Sequence, residues 1–192
     1  MQQTVDFYTN ILGMKLVKTL EFTDDSGSGQ HFFFDVGNGR DAIAFFWFED
    51  APESAPGITQ SGRWIDGAPR RSAIGAMDHV ALDVPREKIE EYHDSLRAKG
   101  VEVTEIVNHS DQPGKDQYLP DEPTADTFVR SIYFQDPDGI TLEFACWGRP
   151  LTPEDVLHTA KTAADLNPEK RAETVRRAQA AVETIGANQP ST

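Results

Sequence analysis

Two stretches of this sequence repeat one order of apolar and polar positions. In each, apolar residues first recur at the spacing of a helix, a glycine follows, and the pattern then changes to the alternation typical of β-strands. The first stretch is predicted to contain a helix over 2–12 and strands over 14–22, 31–36 and 42–48. Gly13 ends its helix, a turn is predicted over 23–29, and Gly37-Asn-Gly39 is a strong hairpin signal.

The second stretch begins with an additional strand, predicted over 78–84. Its remaining elements are predicted as a helix over 86–99, strands over 101–107, 127–135 and 140–147, a polar loop over 108–126 and the turn Asp136-Pro-Asp-Gly139. When Gly13 is aligned with Gly100, the strand over 78–84 has no counterpart in the first stretch. The repeat therefore predicts an α+β fold of two tandem βαβββ modules, which form a curled mixed sheet around a cleft, with the first module lacking its opening strand.

The same pattern predicts four segments along the chain. They are a first module over 1–50, a linker over 51–76 rich in Pro, Gly, Ser and Ala, a second module over 77–149 and a helical tail over 150–192. Thr152-Pro-Glu-Asp155 predicts one helix start in the tail, since it combines an N-cap, a proline at the first helical position and early acids. Asn167-Pro-Glu predicts another, whose thin apolar stripe is expected to pack against the body or a partner subunit.

Composition narrows the range of partners. The formal net charge of −14 argues against a nucleic-acid or anionic-membrane surface, because like charges repel. One cysteine, Cys146, excludes an intrachain disulfide and suits a reducing compartment. There is no apolar run long enough to span a bilayer and no signal-peptide pattern at the N-terminus. These features predict an acidic, cytoplasmic globular protein. Its paired modules are expected to complete each other either within one chain or across a homodimer.

Two residues on different predicted strands have the chemistry of metal ligands. Strand alternation places Glu143 opposite the apolar residues Leu142 and Phe144, and His79 opposite Val80. Imidazole and carboxylate groups that meet across a curled sheet suit a divalent ion. Each residue also has a structural interpretation: His79 as a strand-end histidine bonded to backbone, and Glu143 as a solvated strand residue.

Three motifs resemble the vicinal oxygen chelate superfamily, which includes glyoxalase I, bleomycin- and fosfomycin-resistance proteins and extradiol ring-cleaving dioxygenases. They are Asp-Phe-Tyr-Thr-Asn-Ile-Leu-Gly-Met at 6–14, Asp-His-Val-Ala-Leu-Asp-Val at 78–84 and Asp-Pro-Asp-Gly-x-x-x-Glu at 136–143. The resemblance covers about residues 1–149. It implies a shared metal site in which His79 and Glu143 are ligands of the second module. The remaining ligand, a histidine of the first module's opening strand, is expected upstream of Met1, so weak metal affinity and low activity are expected for this sequence.

Within that superfamily the resemblance favours extradiol dioxygenases. It implies that Tyr133 contacts a bound catecholate and that His31 acts as an acid/base toward substrate and oxygen. Iron(II) is the expected metal, with manganese, zinc or nickel as alternatives, and Phe33, Phe46 and Trp147 are the expected substrate pocket. Each of these aromatic residues can also be interpreted as a residue of the hydrophobic core without a role in substrate binding.

Two other functions stay open. One is a binding or resistance module that sequesters a ligand without turnover. The other is a glyoxalase-like lyase or isomerase, which fits less well because the strand over 42–48 contains no acid before Glu49. The remaining histidines, His93, His109 and His158, are expected on the surface.

Overall fold

The computed structural model describes residues 1–24, 27–49, 77–110 and 122–156, together with isolated tail positions 160, 162, 167–169, 172–173 and 176. The chain divides into two compact units, Met1–Pro150 and Leu151–Thr192. A search of the described residues for a helix long and apolar enough to cross a membrane finds none.

Among its described residues, the first unit contains two sheets and two α-helices. Helix α1 spans Gln2–Asp6 and continues as a π-helical turn over Phe7–Ile11, while α2 spans Ile89–Ala98 after a 3₁₀ turn at Arg86–Lys88. The strands are β1 (Lys15–Asp24), β2 (Gly27–Asp35), β3 (Ala42–Phe48), β4 (Val80–Asp83), β5 (Val107–Ser110), β6 (Thr127–Gln135) and β7 (Thr141–Trp147). One sheet has the order β1-β2-β3 and the other β4-β7-β6-β5. The second sheet is mixed, since β4 runs parallel to β7 and the other pairs are antiparallel.

This architecture confirms the predicted α+β class. The observed elements differ from the predicted ones most clearly in two places. The turn expected over 23–29 is largely strand, because cross-strand pairs such as Thr23 with Ser28 extend the β1–β2 hairpin. The strand expected over 101–107 is reduced to an isolated bridge between Val103 and Phe134, and β5 begins only at Val107. Thr104 explains the interruption, because its hydroxyl replaces a main-chain carbonyl as the acceptor for the Tyr133 N–H.

The two modules share one aromatic core. Tyr8 is fully buried and packs on Phe34 and Phe45 of the first sheet, with ring centroids 5.3 and 4.7 Å away. The adjacent Phe7 packs on Phe134 of the second sheet at 6.5 Å. Helix α1 and its π-helical turn therefore cover one face of each sheet, and the opposite faces point away from this core.

Polar contacts join the modules at the same place. The Tyr8 hydroxyl donates to Asp136 Oδ2 at 3.1 Å, and the Thr4 hydroxyl donates to Asp138 Oδ2 at 3.2 Å. Asp136 and Asp138 belong to the β6–β7 turn, and Asp136 Oδ1 accepts the N–H groups of Asp138 and Ile140. The predicted Asp136-Pro-Asp-Gly turn is thus also the point where the second module holds the first module's helix, within a single chain.

The second unit begins with a short 3₁₀ turn. Thr152 forms a capping box with Asp155 around Pro153–Asp155, so the predicted N-cap is correct. The helix predicted to follow does not continue through Val156, whose dihedral angles lie outside the helical region. Five described positions between 168 and 176 are helical, in agreement with the start predicted at 167. The residues of the predicted apolar stripe lie outside the described residues.

Candidate functional site

The candidate site lies on the face of the second sheet that points away from the helical core. On β7, Leu142, Phe144 and Cys146 are buried in the core, so alternation turns Glu143 to the other face. Cross-strand pairing places Glu143 between Ala81 of β4 and Tyr133 of β6. Glu143 is only 6% exposed, which decides between the two sequence interpretations: it is not a solvated strand residue.

His79 and Glu143 meet directly. His79 immediately precedes β4, and its Nε2 lies 2.9 Å from Glu143 Oε2. Its Nδ1 lies 3.0 Å from Asp78 Oδ1, so the carboxylate of Asp78 fixes the ring and leaves Nε2 directed at Glu143. In metal-binding histidines, one imidazole nitrogen is usually held by a carboxylate while the other faces the metal site.

These two donors fit part of a divalent metal site. The imidazole nitrogen and carboxylate oxygen are both common ligands of iron, manganese and zinc, and both are held in place by neighbouring side chains and strand pairing. A search of the described residues for three or more His, Cys, Asp or Glu side chains that could together hold an ion finds no such group. The described part of the chain therefore brings together two candidate ligands, His79 and Glu143.

Tyr133 lies beside this pair. Its ring packs edge-on against the His79 ring, with centroids 5.7 Å apart, and its hydroxyl lies 3.3 Å from His109 Nε2. His109 is carried by β5, whose pairing with Val129 of β6 brings it to the same face of the sheet. The structure thus joins four side chains: His79, Glu143, Tyr133 and His109.

The electrostatics of this group favour neutral forms of Tyr133 and His109. Burial, followed by the charge of Glu143 and a hydrogen bond to it, raises the pKa of the Tyr133 phenol well above its usual range. Burial lowers the pKa of His109, although the charge of Glu143 opposes this shift. At neutral pH the phenol therefore keeps its proton, and the imidazole is an uncharged hydrogen-bond partner.

His31 lies in the other sheet, apart from these four residues. It is on β2 between Phe33 and Phe46, with ring centroids 4.1 and 3.7 Å away. Among the described residues, hydrogen bonds and ring contacts do not join His31 to His79, Tyr133 or Glu143. Its Nε2 is buried without a hydrogen-bond partner in the described structure. The expected pocket residues also lie in two different sheets. Phe33 and Phe46 surround His31 in the first sheet, whereas Trp147 is the last residue of β7 in the second sheet and is 56% exposed.

The expectation that the other histidines lie on the surface was wrong for two of them. His93 is 7% exposed because α2 turns it toward the protein interior. His109 is half-buried and bonded to Tyr133. The strand predicted over 101–107 did not include His109, whereas β5 spans Val107–Ser110. The pairing register shifts by one residue between Val103 and Val107, so alternation along 101–110 does not place His109 on the face of Tyr133. His158 lies outside the described residues.

Comparison with known proteins identifies a matching family and a related sequence. The sequence model of the Glyoxalase/Bleomycin resistance protein/Dioxygenase superfamily matches residues 1–144. The curated protein "Putative ring-cleaving dioxygenase MhqE" of Bacillus subtilis (strain 168) is 26% identical over 199 residues, which cover 88% of this chain and 62% of that protein. The chain therefore spans less than two thirds of the length of this relative.

Solved structures similar to this chain include two superfamily proteins. The fosfomycin resistance protein FosX of Listeria monocytogenes matches with a TM-score of 0.43 and 20% identity, covering 82% of this chain and 88% of FosX. A glyoxalase family protein of Enterococcus faecalis matches with a TM-score of 0.47 and 20% identity, covering 76% of this chain and 87% of that protein. With its sequence match over residues 1–144, the chain belongs to the Glyoxalase/Bleomycin resistance protein/Dioxygenase superfamily.

Proposed function

We propose that this protein is a metal-dependent dioxygenase of the extradiol type, which cleaves a catechol-like aromatic ring with dioxygen. The observation that carries the proposal is the Tyr133–His109 hydrogen bond beside the His79–Glu143 pair. It adds a phenol that keeps its proton and a neutral imidazole to the two metal-type donors. The similarity to a protein named as a ring-cleaving dioxygenase supports the same function.

In this proposal His79 and Glu143 would hold the metal, with iron(II) as the expected ion. Bound there, the ion would supply open coordination positions for the two substrate oxygens and for dioxygen. Asp78 keeps the His79 ring oriented, and the buried position of Glu143 keeps its carboxylate out of bulk water. Both features hold the donors in place before substrate arrives.

Tyr133 and His109 provide the proton chemistry. A catechol must give up a hydroxyl proton before it could bind a metal, and a neutral imidazole accepts one proton readily near pH 7. His109 is the proposed acid/base group, and the Tyr133 hydroxyl, 3.3 Å from His109 Nε2, connects it to the substrate oxygen. This assigns to His109 the acid/base role that the family resemblance assigned to His31.

The experiment measures ring cleavage and compares the effects of substituting His109 and His31. Protein loaded anaerobically with iron(II) and given catechol and oxygen should form a yellow ring-fission product. His109→Gln should lower kcat by roughly 10²- to 10⁴-fold, the usual contribution of a general acid or base. The matched variant His31→Gln should retain most of the activity. Loss of turnover in His31→Gln with full activity in His109→Gln would refute the assignment.

The other two functions have distinct outcomes in the same preparation. Turnover of a hemithioacetal with nickel or zinc, without ring cleavage, would identify a glyoxalase-like enzyme and refute the dioxygenase. Stoichiometric binding of a small aromatic that survives metal chelation, again without ring cleavage, would identify a binding module. Glu143→Gln serves as the common control, because it removes the carboxylate charge at the proposed metal site and leaves the sheet intact.

A further inference from the structure

Away from the candidate site, His93 is buried with one ring nitrogen unsatisfied. It lies on the inward face of α2 with Ile89 and Leu96, and it is 7% exposed. Among the described residues, its Nε2 has no hydrogen-bond partner. Such atoms are uncommon in native proteins, because a buried polar atom without a partner loses its solvation without compensation. Core packing alone therefore does not explain this nitrogen.

Carboxylates lie on both sides of the His93 ring. Its Nδ1 is 3.0 Å from Asp94 Oδ1, and its Nε2 is 3.8 Å from Glu105 Oε2. An ionised carboxylate only accepts hydrogen bonds, so in the neutral imidazole Nδ1 carries the proton and Nε2 carries the lone pair. Nε2 and Glu105 Oε2 are then two electron-pair donors that face each other, at a distance too long for a hydrogen bond.

The separation of these two donors suits a bound cation. Two ligands of one tetrahedral ion, each about 2.1 Å from it, lie roughly 3.4 Å apart. Glu105 lies in the connection between α2 and β5, and its side chain is 81% exposed, so a small rotation brings Oε2 to that distance. Because this carboxylate is at the surface, water can occupy the remaining coordination positions.

Both donors are oriented by a neighbouring side chain. Asp94 holds the Nδ1 side of the His93 ring, and Arg97 Nη1 donates to Glu105 Oε1 at 3.1 Å, which leaves Oε2 directed at the ring. Partners of this kind are typical of metal ligands. The charge of Arg97 opposes a cation, but this side chain is 55% exposed and so is screened by solvent. The two carboxylates and the formal net charge of −14 favour a cation.

We propose that His93 Nε2 and Glu105 Oε2 bind a divalent cation such as zinc, at a site separate from the His79–Glu143 pair. Imidazole and carboxylate are suitable ligands for zinc, and water completes the shell. The ion links α2 to the connection that leads to β5, and it satisfies the buried nitrogen. Since the two donors come together only in the folded chain, the ion stabilises the fold.

The first test measures zinc binding in a chain that lacks the other candidate site. Calorimetric titration of His79→Ala with zinc chloride should show one bound ion. Adding Glu105→Gln should raise its Kd at least tenfold. The matched variant Glu102→Gln, which removes an exposed carboxylate from the same connection, should leave the Kd unchanged. Adding Asp94→Asn should raise the Kd roughly 10- to 100-fold, the usual effect of losing a partner that orients a ligand.

The second test asks whether the ion contacts His93 and stabilises the fold. Nitrogen-15 NMR of the histidine rings should show a shift of the His93 Nε2 resonance on addition of zinc to His79→Ala, with the resonance assigned by its loss in His93→Gln. Zinc should also raise the Tm of His79→Ala, and this rise should disappear when Glu105→Gln is added.

Three results would overturn the proposal. The first is the absence of zinc binding by His79→Ala, and the second is an unchanged Kd after Glu105→Gln is added. The third is a His93 Nε2 resonance that does not move at saturating zinc, since the ion would then lie elsewhere. Glu105 is exposed, so its substitution tests the site even if His93→Gln fails to fold.

Discussion

The hydrogen bond between Tyr8 and Asp136 offers a direct test of how the two modules are held together. Both side chains are buried, at 0% and 5% exposure, and the Tyr8 hydroxyl donates to Asp136 Oδ2 at 3.1 Å. Tyr8→Phe removes the donor and leaves one carboxylate oxygen without its partner. Because an unsatisfied buried acceptor loses its full solvation, we expect the free energy of unfolding to fall by about 1–3 kcal/mol at neutral pH.

The contribution of Asp136 should depend on pH, and its sign follows from the pKa. Burial raises the pKa of Asp136 above its usual value, although the N–H groups of Ile140 and Asp138 and the Tyr8 hydroxyl oppose the shift. Between the unfolded pKa, about 3.9, and the higher folded value, the folded chain binds more protons than the unfolded chain. The stability from this group is therefore complete below the unfolded pKa, falls as pH rises through that window and is constant above it.

Asp136→Asn removes this titration and retains the shape of the turn, since the amide oxygen can still accept the N–H groups of Asp138 and Ile140. The stability of Asp136→Asn relative to the parent protein should therefore increase as pH rises across the window. Urea unfolding followed by circular dichroism at a series of pH values measures both quantities. A difference that stays flat with pH, or that decreases as pH rises, would contradict the reasoning.

Three further outcomes follow from the same structure. Phe134→Ala should lower the free energy of unfolding by about 3–5 kcal/mol in urea titrations, because Phe134 is fully buried in the core shared by both sheets; a loss below about 1 kcal/mol would contradict this. Gly148→Ala should destabilise by about 1–3 kcal/mol, since an added Cβ would lie 2.3 Å from the Thr127 carbonyl oxygen; an unchanged thermal midpoint would refute the clash. His79→Ala should weaken nickel or iron binding in calorimetry at least tenfold, and equal affinity would remove His79 from the metal site.

The periodicity of the sequence was sufficient for most of the fold. Sequence patterns located β3, β6 and β7 within one residue of their ends, because each is rich in aromatic and β-branched residues and is bounded by polar or turn-forming residues. It failed over 101–110, where short polar stretches carry little alternation. There, the hydrogen bonds of Thr104 to Tyr133 decide where regular pairing begins.

The sequence alone determined the repeated module, the family resemblance and the pair His79 and Glu143, since these depend on local spacing and on the two faces of a strand. Tertiary structure alone decided which side chains join that pair. His109 and Tyr133 are 24 residues apart, and no local pattern indicates that their side chains meet at 3.3 Å. His31 resembled a catalytic histidine by its position in the chain, yet its contacts are with Phe33 and Phe46 of its own sheet. The physical reason is that contacts between distant strands depend on sheet order and register, which form only when the whole core packs.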